Sequence, residues 1–175
     1  MKSMYIKSLE VVLSPAEISI GATVGLQRQL KCLHRSKNGK SLEIYKESWG
    51  NPGAKGLWGN SIEGALGEFA LAKYLGVYPT GISGYDSTDV GEHYEVRTRP
   101  HPNDELFLKK RDKKDKYYVL VIGAYDVYEL KGWISAIEVF LHEEWYHNND
   151  GRTSSSYWVP DEALNHINSL PKDLW

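Results

Sequence analysis

The stretch Asp89-Val-Gly-Glu-His-Tyr-Glu95-Val-Arg97-Thr-Arg99 sets two carboxylates and a cation on one face of a short hairpin, a combination suited to a divalent metal and a phosphate. Side chains alternate across a strand, so Glu95, Arg97 and Arg99 point one way while Tyr94, Val96 and Thr98 point the other. Asp89 would close a preceding strand. The turn Val90 to His93, with Gly91 free to take a positive backbone angle, can then fold it back beside Glu95. The same residues also suit an ordinary surface hairpin with Glu95 paired to an arginine.

A further carboxylate, Glu68, lies in a segment that is apolar nearly all round: Gly64, Ala65, Leu71, Ala72 and Leu75 are its helical neighbours. Burying a carboxylate costs several kcal/mol unless it is neutral, paired or metal-bound, so Glu68 needs a partner from outside its own helix. Gly64 and Gly67 would let another backbone approach closely. His142 and His147 lie i and i+5, about 140° apart on a helix, which does not suit the i, i+4 grip of a zinc protease and makes them surface residues. His93, at the hairpin tip, is placed to touch a substrate.

The elements that must position these groups can be read in order. Ser14-Pro15-Ala16-Glu17 carries the hydroxyl cap, first-turn proline and glutamate of a helix start. Ile18, Ala22, Leu26, Leu30 and Leu33 then repeat at helical spacing and predict an amphipathic helix to about Arg35. The glycine-rich Ser48 to Asn60 reads as a loop whose Trp49 and Trp58 either pin it to the core or stack on bases. Asn60 is a cap for a second helix ending at Leu75-Gly76. Tyr117 to Tyr125 contains Val119-Leu-Val-Ile122, a strand buried on both faces and hence the sheet centre. Val127 to Trp133 continues the sheet, Ile134 to Tyr146 is expected to be a covering helix, and Asn148 to Ser156 a loop. A short strand Tyr157 to Val159 and a helix from about Pro160 to Asn168 complete the pattern.

At 175 residues the chain is one domain long, divided into an N-terminal helical part (1–47), a core (60–146) and a C-terminal strand and helix (157–175). The lone Cys32 excludes an intrachain disulfide, and neither a signal segment nor a membrane-length apolar run is present; these features predict a soluble, cytoplasmic protein with no membrane partner. The net charge of −2 argues against general coating of nucleic acid. Charge is instead focused: Arg97 to Lys116 carries eight Lys/Arg against four Asp/Glu, a local +4 that leaves the rest at −6. Taken alone, such a run is most often a solvated turn.

An acidic helix residue, then Asp, then Glu-x-cation is the layout of the PD-(D/E)XK nuclease superfamily, and the chain resembles a phage and prophage group of that superfamily. The matching features run in order through most of the chain: the SPAE-started helix with Gln27-Arg28-Gln29-Leu30, Ile62-Glu-Gly-Ala-Leu-Gly-Glu-Phe-Ala70, Asp89-Val-Gly91, Tyr94-Glu-Val-Arg-Thr98, Tyr118-Val-Leu-Val121, Gly132-Trp-Ile134 and Trp158-Val-Pro160. The resemblance implies an α/β fold with a central mixed β-sheet flanked by helices, a restriction-endonuclease-like core. It implies Mg²⁺ (with Mn²⁺ as substitute) held by Asp89, Glu95 and the Val96 carbonyl, with Glu68 completing or orienting the shell. The implied reaction is hydrolysis of a DNA phosphodiester, in a host cytoplasm if the chain is phage-encoded. Arg99, Lys109, Lys110 and Arg111 would engage the DNA backbone.

Arg97 stands where the superfamily usually has lysine. A guanidinium keeps its proton, so Arg97 can clamp a phosphate but cannot serve as base; that role would fall to metal-bound hydroxide or the next phosphate, and Lys109 or Lys110 could reach in as a migrated lysine. Two other readings therefore stand beside the nuclease: a nuclease-derived module that grips DNA or a host protein without cutting, and an interaction protein that binds no nucleic acid. A homodimer is compatible with each.

Overall fold

The computed structural model describes residues 8–36, 56–79, 81, 87–148 and 155–172, with side chains of 32–36 and 56–58 left aside. Helix α1 spans Pro15–Ser36 and opens as its first four residues dictate. The Ser14 N–H donates to Glu17 Oε2 at 2.6 Å and the Glu17 N–H to Ser14 Oγ at 3.3 Å, a reciprocal capping box. Lys73 Nζ joins Glu17 at 2.8 Å and the Val12 carbonyl at 2.9 Å. Lys73 and the Ser14 bonds together pull the Glu17 carboxyl down to about 2.

Helix α2 spans Gly56–Leu75, so it starts one turn before the expected Asn60 cap and takes in part of the expected glycine loop. Residues 48–55 of that loop, including Trp49, lie outside the described residues. The face of α1 that meets α2 is not the leucine stripe. Leu26 and Leu30 are exposed, whereas Gly21, Gly25 and Gln29 are buried. The reason is steric. A Cβ on Gly25 would lie 2.5 Å from the Ile62 Cα, so glycine lets the two helices cross at near backbone contact and turns the larger leucines outward.

Strands β1 (Leu9–Val12), β2 (Tyr94–Arg99), β4 (Tyr117–Ala124) and β5 (Val127–Ser135) form a four-stranded sheet in the order β1-β5-β4-β2. β2 pairs with β4 in parallel while the other pairs are antiparallel, so the sheet is mixed and β2 is an edge. Strands β3 (Leu106–Leu108), β6 (Tyr146–His147) and β7 (Ser156–Val159) make a second, antiparallel sheet in the order β3-β7-β6.

β4 is buried on both faces, as its unbroken apolar run predicts. Val119 and Val121 join Leu66, Phe69, Tyr94, Val96, Tyr128 and Leu130 in the core under α1 and α2. Tyr118, Leu120 and Ile122 join Leu106, Leu108, Tyr157 and Val159 in the core under the small sheet. A register shift in β4–β5 at Leu120/Val121 skips Lys131. One skipped residue reverses the alternation, so Leu130 serves the first core and Ile134 the second.

Two expected helices take other forms. β5 runs on through Ile134 and Ser135, and helix α3 is short, Ala136–Leu141, capped by Ser135 Oγ accepting from the Glu138 N–H. A 3₁₀ turn (Glu143–Trp145) and β6 follow where the helix was expected to continue. Pro160 to Asn168 likewise resolves into 3₁₀ turns at Asp161–Ala163 and Ile167–Ser169, and its backbone bonds go instead to β5, where Trp133 and Asn165 exchange both N–H···O contacts at 3.0 and 2.8 Å. Among the described residues no helix is long and apolar enough to cross a membrane.

Gly67 sets the spacing between α2 and β2, since a Cβ there would lie 2.0 Å from Thr98 Oγ1, whereas Gly64 meets nothing within 4 Å. Gly67→Ala must therefore push α2 off the sheet edge. A loss of about 1–3 kcal/mol in urea unfolding is expected, whereas Gly64→Ala, inside the helix with open space around it, should gain about 0.5–1 kcal/mol.

Candidate functional site: a carboxylate cluster at the edge of the mixed sheet

The turn before β2 folds as its residues allow. Val90 and Tyr94 exchange backbone hydrogen bonds at 3.1 and 3.3 Å, and Gly91 has φ of 55°. Thr88 Oγ1 donates to the Gly91 carbonyl and fastens the turn. Residues 87–89 are not strand and residues 82–86 lie outside the described residues, so the expected strand closing at Asp89 is not seen; Val90 makes an isolated bridge with Tyr94. Asp89 nonetheless returns to the strand, where its Oδ2 accepts the Val96 N–H at 2.8 Å.

Glu68 projects from α2 toward the same edge and is buried. Its partner is Arg28 of α1: Nη2 donates to Oε2 at 2.7 Å and Nη1 to Oε1, a bidentate pair. Burial pushes the Glu68 carboxyl up to about 8; Arg28 pulls against this, and the negative charges of Asp89 and Glu95 push further up. Burial works against the Arg28 charge too, but Glu68 and Asp89 more than offset it and the guanidinium stays protonated. Glu95 is also buried and raised, first by desolvation and then by Asp89, while Lys113 and Arg97 draw it down.

Lys113 is a member of the cluster that sequence reasoning missed. Its Nζ donates to Glu95 Oε1 at 2.9 Å and to the Ser87 carbonyl at 2.6 Å, tying the β3–β4 connection to the turn before β2. Of Lys109 and Lys110, expected as candidates for a migrated lysine, Lys110 is engaged elsewhere and Lys109 is tied to the loop by its backbone. Lys110 Nζ sits 3.9 Å from the centroid of the Tyr146 ring, and the Lys109 N–H donates to Asp112 Oδ2 at 3.0 Å. Only the alternation of charge in the run Lys109 to Lys116 hints that one lysine turns inward, and it does not say which.

Arg97 is half-buried rather than open. Its Nη2 donates to Asp112 Oδ2 at 2.8 Å, its Nη1 to the Val96 carbonyl at 3.3 Å, and its guanidinium lies 4.9 Å from the Tyr118 ring centroid. Since Asp112 also accepts from the Lys109 N–H, Arg97 holds the loop that delivers Lys113 to Glu95. Arg99 pairs with Asp104 at 3.2 Å, and Arg111 is exposed. His142 packs flat on Trp145 and meets Glu144 at 2.6 Å, while His147 is exposed on β6.

Glu68 and Glu95 therefore both lie within reach of the Asp89 charge, which raises each of them, and Arg28 and Lys113 are their respective cations. They straddle β2: the α2 side holds Tyr94 and Val96, and the Glu95 and Arg97 side faces the core of the small sheet. Among the described residues no three His, Cys, Asp or Glu side chains stand in metal-ligand geometry. The donor chemistry fits a hard cation all the same. Asp89 and Glu95 are neighbouring carboxylates, and a divalent ion would relieve a repulsion that two monovalent side chains now meet. Comparisons with protein-family models, curated proteins and solved structures find no match for the chain.

The raised Glu68 and Glu95 dictate a pH dependence. Each is harder to ionise in the folded protein than in the unfolded chain, so the associated stability is complete below about 4.5 and is lost as pH rises, through about 8 for Glu68. Without divalent metal, thermal melts should show Tm falling from about pH 5 to about pH 8.5, and Glu68→Gln should flatten the profile. An equal slope in both proteins would mean that Glu68 is not the titrating group.

Proposed function

We propose that the chain is a PD-(D/E)XK-like nuclease that hydrolyses DNA phosphodiesters with Mg²⁺, the four-stranded mixed sheet and its helices serving as a restriction-endonuclease-like core. The observation that carries this reading is the crowding of Asp89 and Glu95 beside buried Glu68 at the open edge of β2, with Lys113 on Glu95. Asp89 and Glu95 would hold the ion. Mg²⁺, when bound, polarises a phosphoryl oxygen and acidifies a water.

The chain's own groups divide the remaining work. Glu68 fixes Arg28 behind the site and so holds a guanidinium whose charge Asp89 feels. Lys113 is the ammonium nearest the carboxylates, able to hand its hydrogen bonds from Glu95 and Ser87 to a phosphate oxygen and to steady the charge that builds in the transition state. Arg97, engaged by Asp112 and Tyr118, acts as a positioning residue for the Lys113 loop. Arg99, Lys109, Lys110 and Arg111 would follow the DNA backbone.

A second reading, a nuclease-fold module that binds DNA or a host protein without cutting, is favoured by the ion pairs themselves. Glu68 and Glu95 are each met by a side-chain cation, as in a site that has settled into self-neutralisation.

Linear, circular and single-stranded DNA incubated with the protein in Mg²⁺, Mn²⁺ or chelator tests the two readings. Metal-dependent cleavage is expected, abolished by Glu95→Gln and by Asp89→Asn, which keeps an acceptor for the Val96 N–H and so should leave urea stability within about 1 kcal/mol. Lys113→Ala should lower kcat by roughly ten- to hundred-fold, as for a lost charged hydrogen bond of about 1.5–3 kcal/mol, with a smaller effect on DNA affinity. Salt-sensitive binding without cleavage would select the binding module, and neither would sink both readings.

A further inference from the structure

The outer face of the small sheet carries chemistry that the carboxylate cluster does not use. On β3 and β7 Leu106, Leu108, Tyr157 and Val159 are buried inward, leaving Phe107 and Trp158 on the outer side, where Trp158 follows the buried Ser156. These two are direct cross-strand partners, with ring centroids 5.3 Å apart and planes tilted by 36°, and both are half-exposed. Packing of this kind would steady a three-stranded sheet by itself. What it leaves unexplained is the charge around it.

The guanidinium of Arg99, at the end of β2, lies 5.6 Å from the Phe107 ring centroid. Beyond β3 the chain passes directly into Lys109-Lys110-Arg111, of which Lys110 turns to the inward side over Tyr146, the β6 partner of Tyr157, while Arg111 is exposed. The acidic groups at the other end of β3 are Asp104, paired with Arg99, and exposed Glu105. Two adjacent π faces with a guanidinium beside them and a basic segment leading away from β3 are complementary to a single strand of nucleic acid: bases stack on the rings while phosphates meet Arg99 and the basic segment. A duplex keeps its bases stacked within the helix and cannot use those rings.

We propose that the Phe107–Trp158 face of the small sheet is a base-stacking platform for single-stranded nucleic acid. The proposal extends the preceding reading and rests on it only for the class of polymer. Arg99 connects the two places, since it follows Glu95 by four residues on β2, about 13 Å along the strand. A strand stacked on Trp158 and Phe107 thus lies in line with the carboxylate edge.

The test is binding of a labelled oligothymidylate and of a duplex of equal length, measured by fluorescence anisotropy at low salt in chelator, so that no cleavage intervenes. Single strand is expected to bind the tighter of the two. Trp158→Leu and Phe107→Leu, which keep an apolar side chain on the strand, should each weaken single-strand binding by roughly five- to hundred-fold and leave duplex binding unchanged. Trp158→Phe keeps a ring and guards against loss of fold: it should bind close to the parent but lose much of the tryptophan quenching that the oligonucleotide causes. The proposal is overturned if the parent ignores single strand, if the leucine variants bind as the parent does, or if Trp158→Phe is quenched equally. Cleavage of duplex without single-strand binding would remove the platform and keep the nuclease; single-strand binding without cleavage in Mg²⁺ would do the reverse.

Discussion

Like charges brought to one edge of a sheet repel, and the structure around β2 is organised by the need to meet that repulsion. Glu68, Asp89 and Glu95 arrive from a helix, a turn and a strand; the Asp89 charge raises the cost of ionising both glutamates, and Glu95 adds to that of Glu68. In a partly dry setting this cost is answered only by cations at hydrogen-bond distance or by backbone N–H groups. Arg28 answers Glu68, Lys113 answers Glu95, and the Val96 N–H answers Asp89. A buried ion pair of this sort adds little net stability over an apolar pair, yet removing one partner is costly, so it fixes geometry more than it holds the fold together.

The packing follows from that arrangement. Arg28 reaches Glu68 because α1 crosses α2 at glycine, where Gly25 allows near contact with Ile62. Gly67 then seats α2 against Thr98 of β2, which places the next residue, Glu68, at the sheet edge. On the opposite face Asp112 gathers Arg97 and the Lys109 N–H, and so turns the basic connection back toward Glu95. The two cores lie on either side of β4, so the site at the edge of β2 is supported from both.

This arrangement bears on how the nuclease reading relates to the binding module. Both use the same residues and differ in whether the carboxylates release their cations. In the proposed nuclease a divalent ion would compete with Lys113 for Glu95 and leave Arg28 on Glu68, so the Lys113–Glu95 pair would be the one to open. Lys113 sits on a connection rather than in a strand, with Asp112 and Arg97 as its hinge support, and a connection can shift at smaller cost than a strand.

Much of the fold was legible in the sequence because its causes are local. The capping box at Ser14 to Glu17, the two-faced burial of Val119 to Ile122 and the turn at Val90 to His93 each rest on residues within a few positions of one another. The need of Glu68 for an outside partner was also legible, since its helix neighbours are apolar. The identity of that partner was not: Arg28 lies 40 residues away, Lys113 lies 18 from Glu95, and nothing in their neighbours marks them out. The second sheet, the reversal of facing within β5 and the outward turn of Leu26 and Leu30 were likewise decided by tertiary packing. Local spacing determines which side chains share a face; only the close approach of distant segments, here at Gly25 and Gly67, determines what that face meets.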